Sequence, residues 1–414
     1  MLRKRLQAGL CSLLLVLVLV FGPMERAIAF TDEQDLLLQA WRYVSQAYVD
    51  ETFNHQNWWL IRQKFLKRPL KTRDEAYEAV GEMLALLDDP YTRLLRPEQY
   101  RSLKVSTSGE LSGVGLQINV NPEVDVLEVI LPLPGSPAEA AGIEAKDQIL
   151  AIDGIDTRNI GLEEAAARMR GKKGSTVSLT VKSPKTDTVR TVKVTRDTIA
   201  LNPVYDKLDE KNGEKVGYIR LNQFSANAKT EIIKSLNQLQ KQGADRYVLD
   251  LRNNPGGLLQ AGIEIARLWL DQETIVYTVN RQGIFESYSA VGQPLTDAPL
   301  VVLVNQATAS ASEILAGALQ DNGRAMLVGE KTFGKGLIQS LFELPDGAGM
   351  AVTVAKYETP LHHDINKLGI MPDEVVPQEP IGYAMMGSET DLQYQAALDL
   401  LTQDQAIAQI SQAS

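Results

Sequence analysis

Ser310 and Lys335 are the pair of residues in this chain whose types and spacing suit covalent chemistry. Ser310 follows an apolar, β-branched run, LVVLVN at 300–305, and opens the segment SASEILAGAL. A hydroxyl attacks a carbonyl only when a base removes its proton. The usual base is histidine, but the chain has three, His55, His362 and His363, and none lies near these segments. Lysine can substitute where burial makes its ammonium costly and brings its pKa toward neutrality. Lys335 lies between Gly334 and Gly336, which let it enter a tight site. Acyl transfer also needs backbone N–H groups to stabilise the developing oxyanion. The turn RNNPGG, with Gly256 and Gly257, allows such a close approach.

The elements that must position these groups are legible as an alternation. The run at 300–305 and the run AMLVGE at 325–330 are predicted strands, and residues 310–319 a helix with Ile314, Leu315 and Ala318 on one face. Upstream, 215–225 contains a strand. Residues 228–242 form an amphipathic helix with Ile232, Ile233, Leu236 and Leu239 inward and Gly243 as terminator. RYVLDLR at 246–252 is a buried strand, and NNPGG opens the helix LLQAGIEIARLWL. Strands alternating with helices indicate an α/β core with a mainly parallel sheet, whose ligands gather beyond the carboxyl ends of the strands. RNNPGG and NQATAS both fall at such ends.

Other readings compete. A serine at a helix start is commonly a cap. Gly329 to Lys335 satisfies GxxxxGK, but Gly336 replaces the Ser or Thr of a phosphate loop and LIQSLFEL alternates as a strand where a helix is required. His362, His363 and Asp364 are adjacent, and neighbouring residues in a strand point to opposite faces, so a solvated loop is favoured over a metal site.

The 414 residues suggest two or three domains. The net charge of −10 argues against nucleic acid as main partner. Residues 1–29 read as a secretory signal: Arg3, Lys4 and Arg5, then LCSLLLVLVLVF, then Ala27-Ile28-Ala29. The apolar stretch falls short of the roughly 20 residues that span a bilayer, and an uncleaved anchor is the alternative. Cleavage would remove Cys11, the only cysteine, and exclude thiol catalysis and thiolate metal sites. Residues 30–104 read as a helical domain, with Leu37, Trp41, Val44 and Tyr48 at helical spacing, a capping box at Thr72–Glu75 and breaks at Pro90 and Pro97. NWWLIR at 57–62 is read as packing. Residues 105–198 give short alternating strands, a turn at Asp153-Gly154, a short helix at 161–170 and a closing hairpin.

That segment, with SPAEAAGI, resembles a PDZ domain. The resemblance implies that a peptide adds as an edge strand along Leu116, Gln117 and Ile118, with its terminal carboxylate on the N–H groups of Gly113, Val114, Gly115 and Leu116. TASASEILAGAL followed by VGEKTFGKGLIQ resembles the active-site signature of the carboxyl-terminal processing proteases, serine peptidases with a Ser/Lys dyad. The resemblance covers most of the mature chain. It implies a ClpP/crotonase-like α/β core at 199–380 with an inserted PDZ domain, Ser310 as nucleophile, Lys335 as general base and Gln339 orienting the lysine. It also implies an oxyanion hole from Ala311 and one of Gly256 and Gly257, Gly256 first. Thr308 stands where many members have Ser. Arg170 is either a cap on the PDZ helix dipole or a coupler between the PDZ domain and the active site. Neither cofactor nor metal is implied. Residues 381–414 are expected to be a linker and a short helix. NWWLIR, DPYTRLLRPEQY and GELSGVGLQI resemble the cyanobacterial and chloroplast branch, whose members trim the C-terminal extension of the photosystem II D1 protein in the thylakoid lumen. The expected partners are therefore C-terminal tails of exported proteins, the D1 precursor among them, with the lumen or periplasm as location. An activator or self-association is also open, and membrane contact comes only through substrate or an uncleaved signal. General periplasmic tail-specific degradation and a non-catalytic PDZ scaffold are the alternatives.

Overall fold

The strand Leu300–Val304 is buried at every position and forms the middle of a six-stranded sheet. The computed structural model describes residues 30–121, 126–283 and 285–402; the expected export signal lies outside them. In spatial order the sheet is Val204–Lys211, Glu214–Leu221, Arg246–Asp250, Leu300–Val304, Met326–Gly329 and Glu374–Val375, which is also chain order. The first pair is antiparallel and the rest are parallel. Parallel strands carry near-continuous aliphatic runs because helices cover both faces. On one face lie Ala228–Lys241, Leu259–Ala266 and Ala311–Asp321, closing a core that includes Ile219, Leu249, Val302, Leu236, Ile263 and Leu315. Each such side chain contributes about 1.5–3 kcal/mol by leaving water.

The other face is covered from an unexpected quarter. Residues 381–414, expected as a linker and a short helix, supply the helix Leu392–Thr402, whose Tyr394, Ala397, Leu398 and Leu401 are buried against Val216, Val248, Val301 and Val328. The tail therefore belongs to the core. Its spacing was visible in the sequence, but nothing local said that the sheet face opposite was bare.

The lysine loop leads into a second sheet. Gly349–Glu358 pairs with Leu337–Glu343 along one edge, and with Thr274–Asn280 and Arg93–Leu95 along the other. The helices Asp32–Ala47, Trp58–Leu66 and Arg73–Ala85 pack on it through Leu36, Leu37, Val80 and Met83 against Met350 and Val352. Thr72 caps the third helix through Glu75 N–H, while the Glu75 carboxylate accepts from Lys71 N–H rather than completing the expected box. Trp58 is buried, whereas Trp59 is 54% exposed and lies edge-on to Trp41.

The PDZ-like sheet runs Leu116–Asn121, Val126–Pro132, Gln148–Ile152, Thr176–Lys182 and Val189–Thr195, with Leu116–Asn121 at an edge. Its helix is Leu162–Met169, with Gly161 and Arg170 as caps, at the expected position. Asp153 and Gly154 both take positive φ in the turn between the strands Gln148–Ile152 and Ile155–Asp156. The two connections to the rest of the chain pair with each other as strands Glu110–Gly113 and Asp197–Ala200. Among the described residues no helix is long and apolar enough to cross a membrane.

Candidate active site

Ser310 sits at the junction of the strand Leu300–Val304 and the helix Ala311–Asp321, with φ 59° and ψ −118°. A non-glycine residue rarely holds such angles, and the cost is of order 1–3 kcal/mol. The surroundings fix it. Thr308, fully buried, donates from its hydroxyl to Leu251 O and receives Asn305 N–H. Ala309 N–H donates to Asn254 O, as does the Ser312 hydroxyl. The Ser310 hydroxyl makes no capping hydrogen bond; the cap runs the other way, from Ser310 N–H to Glu313 Oε2 at 2.9 Å. A serine whose oxygen is not spent on its own helix keeps that oxygen for other chemistry.

Glu313 is fully buried and is the hub of the site. Its Oε1 accepts from the Thr332 hydroxyl at 2.6 Å and Gly334 N–H at 2.7 Å, and its Oε2 also accepts from Lys335 N–H at 2.9 Å. One carboxylate thus ties the serine turn to the lysine loop. Tyr357, buried on the strand Gly349–Glu358, closes the opposite side, its hydroxyl 3.1 Å from Ser310 O and 2.5 Å from Lys335 O. Its phenol is pushed well above its ordinary pKa by burial and by Glu313, so it stays a donor. Gly334 and Gly336 are needed because the backbone of 366–369 packs on them: a Cβ at Gly336 would lie 2.7 Å from Asn366 N.

The Lys335 ammonium lies 5.0 Å from the Tyr91 ring centroid, and no hydrogen bond among the described residues joins it to Ser310. Burial lowers its pKa, and Arg93 lowers it further; Asp89 and Glu313 act the other way. Three of these groups, Asp89, Tyr91 and Arg93, come from the DDPYTR turn, where the sequence showed only a helix break. Gln339 does not bond Lys335. Its amide reaches Thr353 Oγ1 at 3.4 Å, and Thr353 in turn donates to Asp89 at 2.7 Å.

RNNPGG lies against the serine turn. A Cβ at Gly256 would meet Ala309 O at 2.6 Å and Ser310 Cβ at 2.9 Å, and one at Gly257 would meet Phe224 O at 2.3 Å. Gly256 N–H donates to Asn254 Oδ1, so the glycine named first for the oxyanion is engaged. Gly257 and Ala311 N–H donate to no acceptor among the described residues. Beneath the turn Asp250, Arg252 and Asp391 form a fully buried ionic group, with Arg252 to Asp391 at 2.6 and 2.8 Å. Burial alone would raise the Asp391 carboxyl, yet the Arg252 guanidinium holds it below the ordinary carboxylate value.

At the PDZ-like edge, Gly115 (φ 78°) passes so close to Ser136 that a Cβ would lie 2.3 Å from its Cβ. Val114 and Gly115 N–H find no acceptor among the described residues, and Leu116, Gln117 and Ile118 follow on the edge strand; Gly113 is drawn into the connecting ladder. Arg170 occupies the C-cap position through its backbone N–H on Ala166 O, but its side chain donates no hydrogen bond to the helix end. That of Arg196 does, donating to Arg168 O at 2.7 Å and Met169 O at 3.2 Å. The strand Leu337–Glu343 after Lys335 excludes a phosphate loop. His362 bonds Glu358 and stacks on Tyr277, in a loop.

Glu313 was within reach of the sequence, since Ser310-x-x-Glu313 has capping-box spacing. Tyr357, Tyr91 and Asp391 were not, because only tertiary packing brings them in.

The model of peptidase family S41 matches residues 215–376, and that of the PDZ domain residues 102–182. The latter stops before the strand Val189–Thr195 that completes the sheet. A carboxyl-terminal-processing protease of Synechocystis is 66% identical over 406 residues, covering 98% of this chain and 95% of its own. A chloroplastic carboxyl-terminal-processing peptidase 2 of Arabidopsis thaliana is 45% identical, over 84% of this chain and 70% of its own. The solved photosystem II D1 C-terminal processing protease aligns with TM-score 0.54 and 40% identity, over 91% of this chain and 99% of its own. The chain belongs to peptidase family S41, as a serine peptidase of the carboxyl-terminal-processing kind that carries a PDZ domain and acts on the tails of substrate proteins.

Proposed function

We propose that the chain is exported to the thylakoid lumen or periplasm and cleaves the D1 precursor of photosystem II near its carboxyl end, with Ser310 as nucleophile and Lys335 as base. The observation that carries the reading is the half-buried Lys335, depressed in pKa, held across one carboxylate from a serine in a strained turn. The loop 113–116 receives the tail and the edge strand 116–118 pairs with it. Neutral Lys335 leaves the Tyr91 face and takes the proton of Ser310 as the hydroxyl attacks the carbonyl. Ala311 N–H and one N–H of Gly256 and Gly257 hold the oxyanion. Gly257 is free to do so; Gly256 must first release Asn254. Gln339 fixes the strand edge along which Lys335 moves, through Thr353. The amine departs with the proton from Lys335, and water, deprotonated by the same lysine, releases the acyl group.

Mass spectrometry of the mature chain with a D1-tail peptide, beside Ser310→Ala and Lys335→Ala, tests this. One cut near the carboxyl end, lost in both variants, is expected. Cuts at many bonds would replace D1 maturation with general tail degradation. Binding without any cut would leave a peptide scaffold.

A further inference from the structure

A groove of about 320 Å³ opens between the PDZ-like sheet and the helix Pro97–Ser108, whose Arg101 stands one residue before the stretch that the PDZ model matches. Its floor is apolar, from Val114, Leu116, Ile118 and Met169, and its two walls carry Arg170 and Arg101. Neither guanidinium has an ion pair or hydrogen bond among the described residues, although most cations nearby do: Lys104 pairs with Glu343, Arg168 with Glu164 and Lys173 with Asp197. Two unpaired guanidiniums facing one apolar slot, in a chain of net charge −10, mark a place for an anion with an apolar neighbour. The free N–H groups of Val114 and Gly115 open on the same slot.

Arg101 does not ride on the PDZ-like unit. Its helix is held to the body by buried Tyr100, packed with Leu95 and Ala351, and by Ala226 N–H on Thr107 O at 2.9 Å. A ligand touching both arginines therefore spans two parts of the protein.

We infer that Arg101, from outside the PDZ domain, joins Arg170 in clamping the terminal carboxylate of the substrate tail, with a small aliphatic terminal side chain on the floor formed by Val114, Leu116, Ile118 and Met169. This rests on the reading of the loop 113–116 as the site of tail capture. Tail binding then selects the arrangement in which the PDZ domain lies against the helix Pro97–Ser108, and a tail blocked at its carboxylate is captured poorly.

The test uses the full chain carrying Ser310→Ala and a short fluorescent peptide ending in alanine, as free acid and as amide, read by anisotropy. The free acid should bind tighter than the amide by roughly tenfold or more, as a charge-assisted contact warrants. Arg101→Gln should collapse that ratio while leaving amide binding and the thermal midpoint unchanged; Arg101→Lys should keep part of it, and Lys104→Gln all of it. An undiminished ratio in Arg101→Gln overturns the role of Arg101 alone. Equal binding of acid and amide by the parent overturns tail capture itself, while Ser310-dependent cleavage of an unfolded protein judges the peptidase reading separately.

Discussion

Ser310 and Lys335 donate their backbone N–H groups to the same oxygen, Oε2 of Glu313, each at 2.9 Å. The two loops are thereby held at a fixed separation by a group that belongs to neither side chain of the pair. Tyr357 repeats the bridge on the carbonyl side. A site built this way fixes the backbone of both loops without engaging either side chain of the pair.

Glu313→Gln should be more damaging than its size suggests. An amide has one acceptor oxygen where the carboxylate has two, so whichever way it turns at least one of the N–H groups of Ser310, Gly334 and Lys335 loses its acceptor. Each buried donor left unsatisfied costs about 1–3 kcal/mol, and a misplacement near 1 Å costs roughly 100-fold in rate. The expected result is kcat/KM lowered by about that factor or more, with a lower thermal midpoint. Near-normal kinetics would show that the clamp is dispensable.

The pH profile should shift in opposite directions in two variants. With Lys335 as the proposed base, activity is expected to rise as the lysine loses its proton. Arg93 holds the lysine pKa down, so Arg93→Ala should raise it and move the acid limb of kcat/KM to higher pH. Asp89 holds it up, so Asp89→Asn should move the limb lower. In stability terms the folded site binds fewer protons than the unfolded chain, so stability rises with pH from the depressed folded pKa to the unfolded lysine value near ~10.4. Parallel shifts in both variants would contradict this assignment.

Tyr357→Phe removes only the hydroxyl between Ser310 O and Lys335 O. About 1 kcal/mol of stability should be lost. The rate effect should fall on kcat, with KM for a peptide substrate unchanged, because Tyr357 does not line the groove. A change confined to KM would place Tyr357 with substrate binding instead.

Asp391→Ala should destabilise by about 3–5 kcal/mol in urea unfolding, since it strips a partner from the buried Arg252. Asp391→Asn should cost less, retaining one acceptor for Arg252. The helix Leu392–Thr402 should loosen with it, visible as faster amide exchange there. Equal stability of the alanine variant and the parent would rule the network out as a structural tie.

The sequence alone determined the periodic parts of this protein and the chemistry-bearing residues within them. Val301, Val302 and Leu303 gave the parallel strand, Gly256 and Gly257 the tight turn, Ser310 and Lys335 the pair proposed to react, and Gly161 to Arg170 the PDZ helix almost to the residue. These are readable because period, turn and cap preferences act over a few neighbours. What only the tertiary structure decided are the partners: Glu313 shared by the two loops, Tyr357 behind them, Asp89, Tyr91 and Arg93 around the lysine, and Asp391 on Arg252. Each depends on which chain segment packs against which, and a buried polar group takes its role from the partner that packing supplies across the fold, not from its neighbours in sequence.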